Sequence, residues 1–560
     1  MADEVAQDAL SRFGEKWAAV LRFWRGYVLR YRWSWAICWL LQLGFFSISA
    51  VLPFLFKRVI DALEARDLAL FIPAIGIFLG VELLQVIQLY ARSYAMRRLE
   101  LRVEEDLQTA MYRKHHTAPF LKMSQVRVGD ALQRLTDDVP RCRPLIVSSA
   151  SELMGHLVLV AIVLSLMFVM APLLAGIALA FVAVYAVGYK LYQDRAPRLA
   201  RRRQEARSDY LSAAEEGLDA LYSVRVQGAY RQVMWRFNRA LVRYLREEFG
   251  LYKLDLKFRG GFTTLITMLS EVAIISMGAW LIFQGMTTLG TLIAYTQYLN
   301  WLYVFVNFMT GFAMEVEPAL VSLSRMEEVL SLPEDWVVET IAAPHRSLDH
   351  PCAVEIRRLD FTVGDSHLFD SLDLEIPRGK ITGIWGRSGA GKSTLLNLLL
   401  GLYKPPRGTV RLFGHDVTEL SPEEVLALVS VVEQEPRFFG GNIQEMMGLL
   451  EQEGKLERFR KLAAQLGMSE FVERLEARHL SSSKLTELSG GERKRLGILR
   501  GLLRDAPLVV LDEPTAFLDK ATATAIMQNL KDRLRDKTIV VFSHDPLVRQ
   551  YCDEVIELEC

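Results

Sequence analysis

The run Gly386-Arg387-Ser388-Gly389-Ala390-Gly391-Lys392-Ser393-Thr394 has the spacing G-x-x-x-x-G-K-[ST] of a phosphate-binding loop. Glycines at those places let backbone N–H groups close around phosphate oxygens. A helix starting there adds positive potential. Lys392 is placed to reach a β- and a γ-phosphate, and Ser393 to set its hydroxyl on Mg2+. Further along, the apolar run Pro507 to Leu511 ends in two carboxylates, Asp512 and Glu513. Asp512 can hold Mg2+, directly or through water. Glu513, one residue on, can orient and deprotonate an attacking water. A buried strand running out into two solvated acids would give the same pattern, but the upstream loop favours hydrolysis. The chemistry these residues share is binding of a nucleoside triphosphate and attack of water on its γ-phosphate.

Such groups have to be held by a sheet. Ile381 to Trp385 reads as a buried strand entering the loop, and Leu395 to Leu400 as an apolar helix leaving it. Thr538 to Phe542 reads as another strand. Strand, glycine-rich turn and helix together predict an α/β P-loop domain. The chain has 560 residues, too many for one core. It is 51% hydrophobic, and the apolar residues concentrate before residue 330 or so. Lys plus Arg and Asp plus Glu each number 66, for a formal net charge of zero. A nucleic-acid binder would be basic overall, so no nucleic-acid partner is expected. Cys38, Cys142, Cys352, Cys552 and Cys560 make no CxxC pair or metal spacing and read as reduced or buried thiols. No cleavable signal peptide is visible, because the N-terminus is acidic and then amphipathic.

Phe13, Trp17, Leu21, Trp24 and Val28 recur at helical spacing among Arg12, Lys16, Arg22, Arg25 and Arg30. This pattern predicts a basic helix lying in the headgroup layer of a lipid bilayer, on its cytoplasmic side, with an ordinary surface helix as the alternative. Six apolar runs follow: Ser34 to Phe56, Ala69 to about Tyr90, about Leu153 to Met170, Leu173 to Tyr189, Phe262 to Phe283, and about Leu292 to Met314. Each is long enough to span or nearly span the hydrocarbon core. The third and fourth are joined by Ala171-Pro172, which allows only a tight turn. The segments between the second and third runs, and between the fourth and fifth, are long and basic, including Arg201-Arg202-Arg203. Long basic loops belong in the cytoplasm. Lys57 and Arg58 sit against that rule, and acidic neighbours count little in it. The long segments lack runs of Pro or Gly and are expected to be helices continuing out of the membrane. The expected location is the cytoplasmic (inner) membrane, multi-pass, with both termini cytoplasmic.

The spacing of those extensions, and the stretch Gly129-Asp130-Ala131-Leu132-Gln133-Arg134-Leu135-Thr136-Asp137-Asp138-Val139, resembles ABC exporters. The chain is similar to an exporter-type half-transporter, a six-span membrane domain fused to one nucleotide-binding domain. The resemblance covers nearly the whole chain and is specific in the ATPase half. It implies residues 1–332 as transmembrane domain with the N-terminal interfacial helix, 333–350 as linker and 351–560 as nucleotide-binding domain. Leu488-Ser489-Gly490-Gly491-Glu492 resembles the family signature LSGGQ, with Glu in the last place. In the family this motif faces the phosphate loop of a partner subunit. Gln434 matches the glutamine that senses Mg2+ and water and couples to the membrane domain. Ala516-Phe517-Leu518-Asp519 matches the loop that crosses the dimer interface, and His544 the switch histidine that contacts the γ-phosphate.

Two places depart from the family. Val363 stands where an aromatic residue usually stacks on adenine, two residues after Phe361. Ser481-Ser482-Ser483-Lys484-Leu485-Thr486-Glu487 stands where a Gly- and Glu-containing loop usually precedes the signature. Neither removes a residue needed for hydrolysis. What the resemblance implies is ATP-driven export by alternating access. Two subunits share two composite sites, with Mg2+ held through Ser393, Gln434 and Asp512. Glu513, Gln434 and His544 are all present, which favours a homodimer and leaves a heterodimer open. An importer on the exporter fold, as for some siderophores, and an ATP-gated regulator remain alternatives. No leading cysteine peptidase segment is visible, so a cargo-trimming peptide exporter is not expected. The cargo class, whether peptide, lipid or small amphipathic molecule, stays open. Glu82, His156, Glu271, Asn300 and Asn307 fall within the apolar runs and are candidates for an acidic or polar transport cavity. Gln85 and Gln88 extend the Glu82 face; bonding of such groups to neighbouring helices is the alternative.

Overall fold

The computed structural model describes residues 20–338, 346–363, 366–387, 389–438, 447, 454–477, 488–534 and 536–558. Ser388, the serine run 481–487, Cys560 and the first half of the basic N-terminal stretch therefore lie outside the described residues. The chain divides into two compact units: Met1–Tyr112 with Val128–Ser331, and Arg113–Arg127 with Leu332–Cys560.

The first unit is helical. Its long helices are α1 (Arg32–Glu64), α2 (Leu68–Thr117), α3 (Ser149–Met170), α4 (Pro172–Asp219), α5 (Tyr230–Asp255), α6 (Thr263–Phe283) and α7 (Leu289–Leu330). Five helical stretches among the described residues are long and apolar enough to cross a membrane: Leu29–Glu64, Leu68–Thr117, Val128–Met170, Pro172–Asp219 and Tyr230–Phe283. The sixth expected run forms the unbroken helix α7, which is not among those five. Helix α2 holds 50 residues. At about 1.5 Å per residue it reaches about 75 Å, more than twice an apolar core of about 30 Å. The expected continuation of helices beyond the membrane is thus present.

Local chemistry sets the helix ends. Ala171 is extended, and Pro172 opens α4 at a position that needs no N–H donor. Thr288 caps α7 by accepting from the Thr291 N–H. The fully buried Tyr295 hydroxyl donates to the carbonyls of Met167 and, at 2.6 Å, Ala171, which pins α7 to the α3–α4 turn. The described part of the N-terminal stretch begins at Val20. Val20 and Phe23 are buried in a protein core with Met96, Leu99 and Ala319. Arg22 is held by Glu327, its Nε at 2.8 Å. Leu21, one of the residues expected on the apolar face, is 56% exposed.

The second unit carries two sheets. Strands β1 (Cys352–Val363), β2 (Ser366–Pro377), β4 (Val410–Leu412) and β5 (His415–Asp416) form an antiparallel sheet in the order β2-β1-β4-β5. Strands β3 (Ile381–Trp385), β6 (Val429–Val432), β7 (Leu508–Asp512), β8 (Thr538–Phe542) and β9 (Glu554–Glu557) form a parallel sheet in the order β6-β7-β8-β3-β9. Every residue of β8 is buried, as expected for a strand covered on both faces. Parallel pairing brings the carboxyl ends of β3, β6, β7 and β8 to one edge. Ligands of open α/β sheets bind at that edge. The segment Arg113–Arg127 belongs to this unit: the Thr117 carbonyl accepts from Asp335 N–H at 2.7 Å, and the Phe120 ring lies 6.1 Å from Tyr403.

Candidate functional site

Strand β3 delivers the glycine loop, which turns into helix α8 (Lys392–Leu399). Gly389 and Gly391 have φ of 91° and 75°, a region L side chains rarely occupy. A Cβ on Gly391 would stand 2.7 Å from the Phe369 ring, so the turn admits only glycine there. Lys392 Nζ donates to the Gly386 carbonyl at 2.8 Å and lies 3.9 Å from Glu513 Oε1. A cavity of about 540 Å³ opens over the loop. Gly386, Arg387, Gly389, Gly391, Lys392, Ser393 and Thr394 line it with Gln434, Asp512, Glu513, His544 and Leu368.

Strand β7 ends at Asp512, and Glu513 follows with φ of 44°. A non-glycine residue in that conformation carries strain of about 1–3 kcal/mol, which the surroundings must over-determine. Its N–H donates to the Phe542 carbonyl at 2.9 Å, at the end of the neighbouring β8. Its carboxylate accepts from Ser543 Oγ at 3.1 Å, and Oε1 lies 2.7 Å from His544 Nδ1. Glu513 is 7% exposed, whereas the His544 side chain is 79% exposed. A buried carboxylate is thereby held by three groups, with an exposed imidazole beside it. Burial pushes the Asp512 carboxyl up; the Lys494 ammonium opposes this, and the neighbouring Glu513 adds to it.

Lys494 has no place in the sequence expectation. It is fully buried, and its ammonium donates to the carbonyls of Glu433 (2.9 Å), Gln434 (3.2 Å) and Asp512 (2.6 Å). Burial lowers its pKa to about 8. The signal was in the spacing: on helix α9 (Gly490–Leu503), Lys494 shares the buried stripe with Ile498, Gly501 and Leu502.

Residues 35–306 match the family model of the ABC transporter transmembrane region, and residues 369–516 that described as ABC transporter. The mycobactin import ATP-binding/permease protein IrtB of Mycolicibacterium thermoresistibile is 31% identical over 77% of this chain and 74% of its own. The chain belongs to the ABC transporter family. A putative export ATP-binding/permease protein of Rickettsia felis is 24% identical over 81% of this chain and 79% of its own. A putative multidrug export ATP-binding/permease protein, YgaD of Bacillus subtilis, is 23% identical over 92% and 90%. This ABC transporter therefore joins a multi-pass membrane unit to an ATP-hydrolysing unit in one chain.

In the transporter the signature stands apart from the cavity. Ser489, Gly490, Gly491, Glu492 and Asp519 are absent from the lining of the phosphate cavity. Ser489 Oγ accepts from Glu492 N–H at 3.2 Å, and Glu492 Oε2 accepts from Ser489 N–H at 2.8 Å, a capping box that starts α9. Glu and Gln serve equally at that position, which accounts for Glu492 in place of the family glutamine. Glu492→Gln, which keeps the capping hydrogen bond, is expected to cost less thermal stability than Glu492→Ala, which loses about 0.3–1.5 kcal/mol. Unfolding of the detergent-solubilised chain checks both, and equal losses in the two variants would rule out the capping role. A Cβ on Gly491 would stand 2.9 Å from the Phe517 carbonyl, so the Ala516–Asp519 loop packs directly on the signature backbone. Asp519 itself accepts from Thr522 N–H at 2.9 Å and caps helix α10 (Lys520–Arg533).

Among the described residues no Phe, Tyr or Trp lines the cavity. Phe361 stacks on Tyr403 at 6.0 Å and 18°, and the cavity offers Leu368 at that side. Val363→Tyr is expected to tighten ATP binding by about 1–3 kcal/mol, the worth of a base–aromatic stack. Preference for ATP over GTP should rise with it, by calorimetric titration of both nucleotides. Unchanged affinity would mean that another group already covers the base.

In the membrane unit the five candidate cavity residues separate. No hydrogen bond, ion pair or ring contact among the described residues joins any of them to another. His156 is buried, stacked on Phe308 at 4.0 Å and 4.4 Å from Phe46. Asn307 accepts from the Tyr185 hydroxyl at 2.6 Å. Glu271 and Asn300 are exposed, and Glu82 is half-buried. Gln85 donates to Ser49 Oγ at 2.7 Å and Gln88 to the Leu41 carbonyl at 3.5 Å. The glutamines beside Glu82 thus bond to α1, as in the alternative reading. Arg92, which sequence reasoning passed over, lies over Phe45 at 4.4 Å and Phe46 at 5.7 Å, and Phe46 also meets His156.

Proposed function

We propose that two such chains pair to export a substrate across the cytoplasmic membrane, driven by ATP, with the ATPase unit and both termini on the cytoplasmic side. The observation that carries this reading is the division of phosphate-binding groups within one chain. The loop, Gln434, Asp512, Glu513 and His544 share a cavity, while Ser489 to Glu492 lie outside it on a separate helix start. One chain thus offers a complete hydrolytic half and a second phosphate-facing motif for another chain. Phe517, beside the signature, is 62% exposed, an apolar side chain suited to a partner surface. Ser393, Gln434 and Asp512 provide an all-oxygen donor set that fits Mg2+ bound together with nucleotide phosphates. Because one chain holds Glu513, Gln434 and His544, a homodimer with two active sites is the favoured assembly.

ATP closes the two composite sites, closure turns the membrane cavity outward, and hydrolysis resets it. Import is the second reading, favoured by the likeness to the mycobactin importer IrtB. Flux decides between them. Export requires ATP-dependent uptake of a substrate into inside-out vesicles, tested over a panel of peptides, lipids and small amphipathic molecules. ATP-dependent loss from preloaded inside-out vesicles would establish import instead. Substrate-stimulated ATPase without flux in either direction would point to a regulator.

A further inference from the structure

A lysine ammonium in a protein core is costly unless it is paired or fully hydrogen-bonded. Lys494 is 0% exposed. What holds it there is a set of three main-chain carbonyls, from Glu433, Gln434 and Asp512. These carbonyls lie where the ladder between β6 and β7 runs out, since the last paired residues are Val432 and Leu511. Beyond that point no further ladder pair joins the two strands. The three N–H donors of one ammonium take over the cross-strand tie. The lysine also sits little more than one turn from Ser489, at the start of the same helix.

We propose that Lys494 is a positioning residue that clamps the Gln434 and Asp512 main chain to the signature helix. Gln434 and Asp512 then keep their place relative to each other and to the helix. This first part needs only the geometry of one chain. A second part rests on the composite-site reading above. The signature serves the partner's ATP, so the clamp makes a chain's own site and the contact it gives its partner move as one body, which couples the two sites.

The test uses the full-length purified chain in lipid nanodiscs. Lys494→Met keeps the length and removes the donors; Lys494→Gln restores two donors without the charge. Lys494→Met is expected to lower kcat for ATP about 10–100-fold, the range for a group that orients the residues of a metal site. KM is expected to hold, because the phosphate loop is untouched. Without nucleotide, amide hydrogen exchange is expected to rise in 429–438 and 508–514 together, and Lys494→Gln to recover part of both effects. Parent kcat in Lys494→Met overturns the proposal. So does exchange that rises evenly over the whole ATPase unit, with Lys494→Gln no better than Lys494→Met, because that marks a merely structural lysine. The coupling part predicts a Hill coefficient for ATP near 2 in the parent, falling toward 1 in Lys494→Met. A Hill coefficient unchanged by Lys494→Met overturns the coupling part. Failure of the parent to pair in ATP overturns the two-chain reading instead, and the exchange comparison still decides the clamp.

Discussion

Glu513→Gln is expected to slow ATP turnover by about 10²-fold or more while leaving ATP bound, the scale of a lost general base. The amide keeps the shape that Ser543 and the Phe542 carbonyl hold in place, so the strained backbone at Glu513 has no reason to relax. What disappears is the ability to take a proton from water. The substitution also removes the carboxylate that lies 3.9 Å from Lys392 Nζ. The ammonium is then free to face phosphate alone, and the nucleotide-bound form should gain. Steady-state phosphate release, single-turnover hydrolysis and cross-linking of the paired chains measure the three effects. Hydrolysis at the parent rate would rule out Glu513 as the base. Slow hydrolysis without accumulation of a paired, ATP-bound form would keep the base and remove the proposed closure.

The cavity was legible in the sequence because its parts are local. A glycine loop, a strand end and a strand-end histidine each announce themselves within a few residues. The parallel sheet then needs only to bring four strand ends to one edge. Two kinds of information were not legible. The first is contact at long range in the membrane unit. Glu82 and Glu271 attract attention because charge in an apolar run is expensive, but periodicity does not say which helix a face meets. The glutamines next to Glu82 turned out to bond to α1, and the aromatic cluster around Phe46 drew in Arg92 and His156. The second is a charge whose partners are main-chain atoms. Lys494 pairs with carbonyls, which carry no residue identity, so only its place on a buried stripe betrayed it. Likewise the short helix Phe120–Met123 gave no sign in sequence that it groups with the ATPase unit.

Lys392→Ala should act on the opposite side of the cycle from Glu513→Gln. The lysine contributes charge to phosphate recognition, and charge-assisted hydrogen bonds are worth about 1.5–3 kcal/mol each. One such bond lost corresponds to ATP binding weaker by roughly 10- to 10²-fold. Backbone groups of the loop remain, since the alanine does not disturb the φ values of Gly389 and Gly391. The expected result is therefore a large rise in the dissociation constant rather than an unfolded loop. Ligand linkage provides a readout that does not depend on turnover. Nucleotide that binds only the folded protein raises its stability by an amount set by concentration over Kd. At one fixed concentration of ATP and Mg2+, the parent and Glu513→Gln should both show a rise in Tm. Lys392→Ala should show little or none until ATP is raised by the same factor as its Kd. Without nucleotide the variant also loses the bond to the Gly386 carbonyl and the nearest ammonium to Glu513 among the described residues. A Tm shift equal to the parent's at every ATP concentration would mean that the loop backbone alone recognises the phosphates, and would remove Lys392 from the site.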